Sequence, residues 1–337
     1  MESVLDNEVM ERQSDTLPLV SVLINNYNYG KFLKQAVDSC LNQTYENVEV
    51  IVVDDGSTDD SKEIIESFGD QVIPILKKNG GQASALNAGF QASSGDIICL
   101  LDADDLYLPE RIAEVVKLFQ SHPSVDWVFT ESSAIESERI FEENHDDLFG
   151  EIRSSNSDSK IQEIDFTKEL KDGQIPNFTP STSNLCFSRK ILEKLFPLPA
   201  IKGISGMAIT DLYIKLLAVG LGSGYVNKNN IGIYRFHNNY YKFQNLDKKR
   251  RLFGEIYTTT GYSIRQKFPE FKKISNKILS KGFSTYLSSN YSKNEQADAD
   301  CNLMFKEHIG SCSLQEKMKI LASVLYYRFK LYKKDFV

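Results

Sequence analysis

The sequence predicts an α/β fold, an αβα sandwich with a mostly parallel sheet, followed by a helical C-terminal extension. Three observations point there. From about residue 18 to 130, short β-branched runs alternate with segments whose apolar residues recur at helical spacing. Several of the β-branched runs end in Asn, Asp and Gly, at the strand ends where open parallel sheets bind ligands. Beyond about residue 245 the pattern is mostly helical, with basic and aromatic residues and no catalytic motif.

The elements follow in order. Residues 1–17 read as a polar leader, too acidic at the start and too short of apolar residues for a secretory signal. Val20 to Ile24 is the first strand and stops at Asn25 and Asn26. Phe32, Leu33, Ala36, Val37, Cys40 and Leu41 form one helical face, and Val48 to Val53 is again β-branched. A helix around Ile64 to Phe68, a strand at Val72 to Leu76, a helix from Gln82 to Ala92 and a strand at Ile97 to Leu101 continue the alternation. Pro109 is placed at a first helical position, ahead of Ile112, Val115, Val116 and Phe119, and Val125 to Thr130 is a further strand.

Residues 131–172, rich in Glu, Asp and Ser, read as a mobile acidic loop and a candidate lid. Order returns at Ser183 to Phe187, in a short helix near Lys190 to Leu195, and in a helical pattern from Asp211 to Ala218. The organisation is therefore a domain over 18–240, with a ligand-binding half at 18–130 and a second half at 173–240, and a helical region at 241–337.

Composition narrows the function. The 337 residues carry a formal net charge of −7, which offers no basic footprint for nucleic acid. No stretch is long and apolar enough to span a membrane. Five scattered cysteines without CxxC spacing fit a reducing cytoplasm.

Two acidic corners carry the chemistry. Cys99-Leu-Leu-Asp-Ala-Asp-Asp105 delivers three carboxylates at the end of an apolar strand. Clustered carboxylates repel one another unless a cation or hydrogen-bond donors neutralise them, and hard Mg²⁺ or Mn²⁺ takes such oxygens together with substrate phosphates. An acidic turn capping the next helix is the competing reading. Val52-Val-Asp-Asp-Gly-Ser-Thr58 ends the second strand at a helix start, where amides favour anions and carboxylates accept hydrogen bonds from a base or ribose.

With Ser21-Val-Leu-Ile-Asn-Asn-Tyr-Asn28, Gln43-Thr-Tyr45 and Asn79-Gly-Gly-Gln-Ala-Ser-Ala-Leu-Asn-Ala-Gly89, these corners resemble glycosyltransferase family 2. The resemblance is dense over 18–130 and thinner over 180–240. It implies a GT-A fold, a nucleotide-sugar donor (a UDP-sugar first), a saccharide or lipid-linked saccharide acceptor, inversion, and Mn²⁺ or Mg²⁺.

By the same resemblance, Asn25 and Tyr27 lie near the nucleotide, with Tyr27 stacking on the base, and Asp55 contacts the base beside Asp54. Asp102 and Asp104 are the acids of an Asp-x-Asp signature that spans Ala103, for ribose and metal-diphosphate respectively. Asn87 belongs to the donor set, although Leu86 stands where the family often has Arg. Asp211, preceded by Thr210 in place of the family's first acid, is the general base. In Tyr234-Arg-Phe-His237, Arg235 or His237 meets the diphosphate and His237 completes the metal shell, with a structural histidine as the competing reading. The basic C-terminal helical segment from Glu316 to Lys334 either packs on its own domain or contacts an anionic membrane peripherally.

Two other functions fit less well. A sugar nucleotidyltransferase would need a basic glycine-rich loop after the first strand, and Ile24 to Asn28 has none. A non-catalytic sugar- or nucleotide-binding module accommodates Thr210 and Leu86 but not the retained Asp102, Asp104 and Asp211.

Overall fold

The computed structural model describes residues 17–156, 161–176, 180–199, 209–237, 246–289 and 301–334. Its first half is built from β1 (Val20–Asn26), α1 (Gly30–Leu41), β2 (Val48–Asp54), α2 (Ser61–Ser67), β3 (Ile73–Leu76), α3 (Gln82–Ala92), β4 (Ile97–Asp102), the two-residue β5 (Leu106–Tyr107) and α4 (Arg111–Ser121). The β-branched runs form strands because both faces are covered. Leu23, Ile98 and Leu100 enter one apolar core with α3, whereas Val22, Ile24, Cys99 and Leu101 enter the other with α1, α2 and α4.

The second half comprises β6 (Trp127–Glu136), α5 (Ser137–Glu142), α6 (His145–Ser155), β7 (Ile161–Ile164), α7 (Thr167–Lys171), β8 (Leu185–Ser188), α8 (Arg189–Leu195), α9 (Ile209–Leu221) and β9 (Gly224–Phe236). The C-terminal region is helical: α10 (Leu246–Lys267), α11 (Lys272–Leu287), α12 (Cys301–Gly310) and α13 (Leu314–Lys334).

Among the described residues nine strands form one sheet in the order β3-β2-β1-β4-β8-β6-β9-β5, with β7 also on β9. The half from β3 to β4 is parallel. Beyond it the sheet is mixed: β8 runs antiparallel between β4 and β6, while β6 and β9 are parallel. The strand–helix alternation runs on through α4 to β6, but β8 enters antiparallel between β4 and β6, so the all-parallel part of the sheet ends at β4.

Two expectations need correction. Residues 131–172 are not a mobile acidic loop, because their described part completes β6 and forms α5, α6, β7 and α7. Ile140, Leu148, Phe149 and Ile152 bury themselves with Leu106, Leu108 and Ile233. The many charges lie outside, paired as Arg139–Glu143 and Arg153–Glu110, so a few apolar residues, one on α5 and three on α6, hold helices that composition reads as solvent-loving. Pro109 also precedes α4 rather than opening it, since the helix begins at Arg111 after Glu110. The long strand β9 has no counterpart in the sequence reading, because Asn227, Asn229 and Asn230 interrupt its alternation.

Candidate active site

The carboxyl ends of β1, β2 and β4 lie side by side. Asn25 is in register with Asp102, and Asn26 with Asp54. The Asn25 amide donates to Asp102 Oδ1 at 3.0 Å, and the Gln82 amide, from the first turn of α3, donates to the same oxygen at 3.1 Å. Asp102 is thus oriented from two sides at the rim of the sheet. Tyr27, just past β1, is 44% exposed. An aromatic ring left in water beside a strand terminus is available for stacking.

The second acidic corner is more committed to the protein itself. Asp54 accepts from the Asn26 amide at 2.8 Å and from the Ser57 backbone at 3.0 Å, closing the turn into α2. Asp55 is buried and pairs with Lys77 while taking the amides of Gly80 and Gly81 at 3.0 and 2.7 Å. Its carboxylate pins the Asn79-Gly-Gly loop across the ends of β2 and β3. Gly56 permits that approach, with φ of +79° and the Asn79 nitrogen 2.7 Å from where a Cβ would stand.

The Asp-x-Asp turn is tied to β9. The Asp105 amide donates to the Asp102 carbonyl at 3.1 Å, and Ala103 is buried within the turn. The short β5 pairs with Gly232 and Ile233, which carries the end of β9 past the turn. As a result Asp104 Oδ2 and His237 Nε2 lie 3.0 Å apart, although 133 residues separate them. The His237 ring packs 5.0 Å from that of Phe32.

Beneath this pair lies Arg235, fully buried. Its Nε donates to the Asp104 carbonyl at 2.7 Å and one terminal nitrogen to Gln35 at 2.7 Å. The guanidinium stacks 4.7 Å from the Phe32 ring and 5.0 Å from that of Phe141. Burial pushes its pKa down to about 10, against the pull of Asp104 and Asp105. Asp105 is buried too, accepting the Ser183 hydroxyl at 2.6 Å and the Arg235 amide at 2.9 Å. Burial, then repulsion from Asp104 and Asp102, raises its carboxyl well above the usual range. Arg235 therefore supports Asp104 from below and is not poised as an open diphosphate ligand.

Of the remaining sequence candidates, Asn87 is occupied elsewhere. Its amide donates to the Leu198 carbonyl at 3.0 Å and its oxygen accepts the Leu198 amide at 2.7 Å, which ties α3 to the segment after α8. Leu86 explains the missing Arg, because it faces the apolar core at 1% exposure. Asp211 stands in the first turn of α9, and its side chain and that of Thr210 lie outside the described residues.

Asp104 and His237 suit a divalent cation: a carboxylate oxygen and an imidazole nitrogen meet at one place, with Asp102 nearby. Among the described residues no group of three His, Cys, Asp or Glu side chains is placed to hold a metal ion. Such a pair fits Mg²⁺ or Mn²⁺ only where substrate phosphates and water complete the shell, which is how these ions commonly bind.

The family model for glycosyl transferase family 2 matches residues 21–196, more than half of the chain. The chain belongs to glycosyltransferase family 2. This family 2 protein is 33% identical over 222 residues to an uncharacterised glycosyltransferase of Nostoc sp., a match covering 65% of each chain. It is 44% identical over 106 residues to the glycosyltransferase GlyG of Streptococcus pneumoniae, covering 30% of this chain and 35% of that one. The chain therefore spans less than two thirds of the length of these relatives. In fold, the chain resembles S. aureus TarS (residues 1–349, solved with UDP-GlcNAc), with a TM-score of 0.58 at 14% identity, covering 94% of this chain and 92% of that one. It has the GT-A fold.

Sequence reasoning missed Gln82, Lys77 and Ser183, which hold Asp102, Asp55 and Asp105, and Gln35 and Asp105, which hold Arg235. Asp105 alone carried a signal, as the third carboxylate of Asp-Ala-Asp-Asp.

Proposed function

We propose that this family 2 transferase moves a sugar from a nucleotide-sugar donor, a UDP-sugar first, to a hydroxyl of a saccharide or lipid-linked saccharide, with inversion at the anomeric carbon. The observation that carries the reading is the convergence of Asn25, Asp102, Asp104 and His237 at the carboxyl edge of β1, β4 and β9. The UDP-GlcNAc bound by TarS supports a uridine nucleotide.

Tyr27 offers its exposed face to the base, and Asp102, held by Asn25 and Gln82, receives the ribose hydroxyls. Asp55 and Asp54 shape the base subsite, Asp55 by fixing the Gly80–Gly81 loop. Asp104 and His237 would hold Mn²⁺ or Mg²⁺, which supplies Lewis-acid stabilisation of the charge building on the departing diphosphate. Arg235, whose Nε donates to the Asp104 carbonyl, holds the Asp104 turn in place.

The acceptor oxygen attacks the anomeric carbon from the face opposite the diphosphate. The new carbon–oxygen bond forms as the bond to the diphosphate oxygen breaks, the electron pair leaves with the nucleoside diphosphate, and the hydroxyl proton passes to the Asp211 carboxylate. The general-base assignment rests on family resemblance and on Asp211's place in the first turn of α9.

The test is nucleoside diphosphate release from UDP-, GDP- and dTDP-sugars with Mn²⁺, Mg²⁺ or EDTA, followed by nuclear magnetic resonance of the product's anomeric centre. One donor should turn over only with metal, with inversion, and Asp211→Asn should lose about 10²–10⁴ in rate. Failure of every donor to bind the folded protein in the presence of metal would overturn the reading.

A further inference from the structure

We infer that the outer face of α13 is a docking surface for an anionic lipid bilayer, on which the protein lies without crossing it. The helix is the outer member of a stack: α13 packs on α11, α11 on α10, and α10 on α9. Ile320 and Val324 are buried against that stack. A helix that served only to pack there would turn a polar face to water.

The opposite face is apolar. Leu314, Met318, Leu321, Leu325 and Phe329 recur at steps of three and four residues and are 78, 63, 45, 68 and 59% exposed. At 1.5 Å per residue the stripe runs for about 22 Å. Scattered exposed apolar residues are ordinary, but a continuous stripe of this length is a surface for contact.

Charge identifies the occupant. Between Leu314 and Lys330 the helix carries Lys317, Lys319, Arg328 and Lys330 against a single acid, Glu316. That acid is turned inward, 3.6 Å from Arg265 and 3.8 Å from Lys272, so the exposed side of the helix is basic. This local excess belongs to a chain whose net charge is −7.

An apolar stripe flanked by long basic side chains enters the headgroup–acyl boundary, while the Lys and Arg stems carry their charges up to lipid phosphates. A second copy docking through the same face would oppose two basic surfaces. No described helix is long and apolar enough to cross a membrane, so the contact lies along the surface.

Flotation of the full chain with vesicles of phosphatidylcholine, alone or mixed with phosphatidylglycerol, tests this at low and high salt. A variant carrying Leu325→Glu and Phe329→Glu is run beside it. The wild type should float with the anionic vesicles, lose them at high salt, and partition at least about tenfold more strongly than the variant. The variant's circular dichroism should be unchanged.

Equal partition of wild type and variant, or of neutral and anionic vesicles, would overturn the assignment. So would a wild-type dimer that the variant splits without any vesicle binding, which would give the face to a second copy. Donor turnover without vesicles reads the sugar-transfer site separately, so failure of one reading leaves the other standing.

Discussion

Asp104 and His237 reach each other from 133 residues apart, across the mixed part of the sheet, and their 3.0 Å contact is the pair on which the proposed metal site rests. If His237 is a metal ligand, His237→Ala should raise the Mn²⁺ concentration for half-maximal donor turnover by about tenfold or more, since even the outer partners of metal ligands are commonly worth that much. Metal titration of the activity checks it, and an unchanged midpoint would return His237 to a packing role against Phe32. At this scale the sequence was legible where chemistry lies in consecutive letters, as in Asp102-Ala-Asp-Asp105. It was opaque where partners are distant: 22 residues separate Lys77 from Asp55, and 78 separate Ser183 from Asp105. Asn87 looked like a donor ligand because its neighbours matched a motif, yet its amide is spent on the Leu198 backbone.

The helix pair α10–α11 shows how much of the C-terminal region depends on absent side chains. A Cβ on Gly282 would stand 2.3 Å from the Thr258 amide nitrogen, and one on Gly261 would stand 2.6 Å from that of Leu279. The two backbones approach too closely for any other residue, and side chains that would hold them apart are missing at the crossing. Gly282→Ala should therefore cost about 1–3 kcal/mol through forced separation of the helices. A thermal melt reads it as a clearly lowered Tm, and an unchanged Tm would mean that the crossing relaxes freely. Sequence periodicity found these helices but not their crossing, because glycine carries no apolar signal. The same blindness affected α5 and α6, whose few apolar anchors, Ile140, Leu148 and Phe149, sit among acids that composition counts and packing ignores.

Over the whole molecule, α12 links the C-terminal helices to a pH-sensitive core. His308 is fully buried, 2.7 Å from Asn276 Oδ1, and burial, then the nearby Arg265 charge, pushes its pKa down to about 4 against the opposing pull of Glu316. The unfolded chain takes up this proton near pH 6.5, before the folded chain does, so stability present above pH 6.5 is lost as the pH falls towards 4. The loss is on the order of 3 kcal/mol, and melts of wild type beside His308→Gln should converge as the pH falls across that window. A parallel pH dependence in the variant would assign the loss to other groups. The parallel half of the fold was readable because its strands are apolar on both faces. The mixed half was not, because β8 joins the sheet between β4 and β6 from far along the chain, with nothing in its four residues to state its neighbours. In the proposed mechanism this mixed half supplies β9 to complete a metal-diphosphate site begun at β4. The most direct measurement of it is the rate of nucleoside diphosphate release, at saturating metal, by wild type and by Asp104→Asn. The variant should lose at least about 10² in rate with its fold intact. Turnover at the wild-type rate would contradict it.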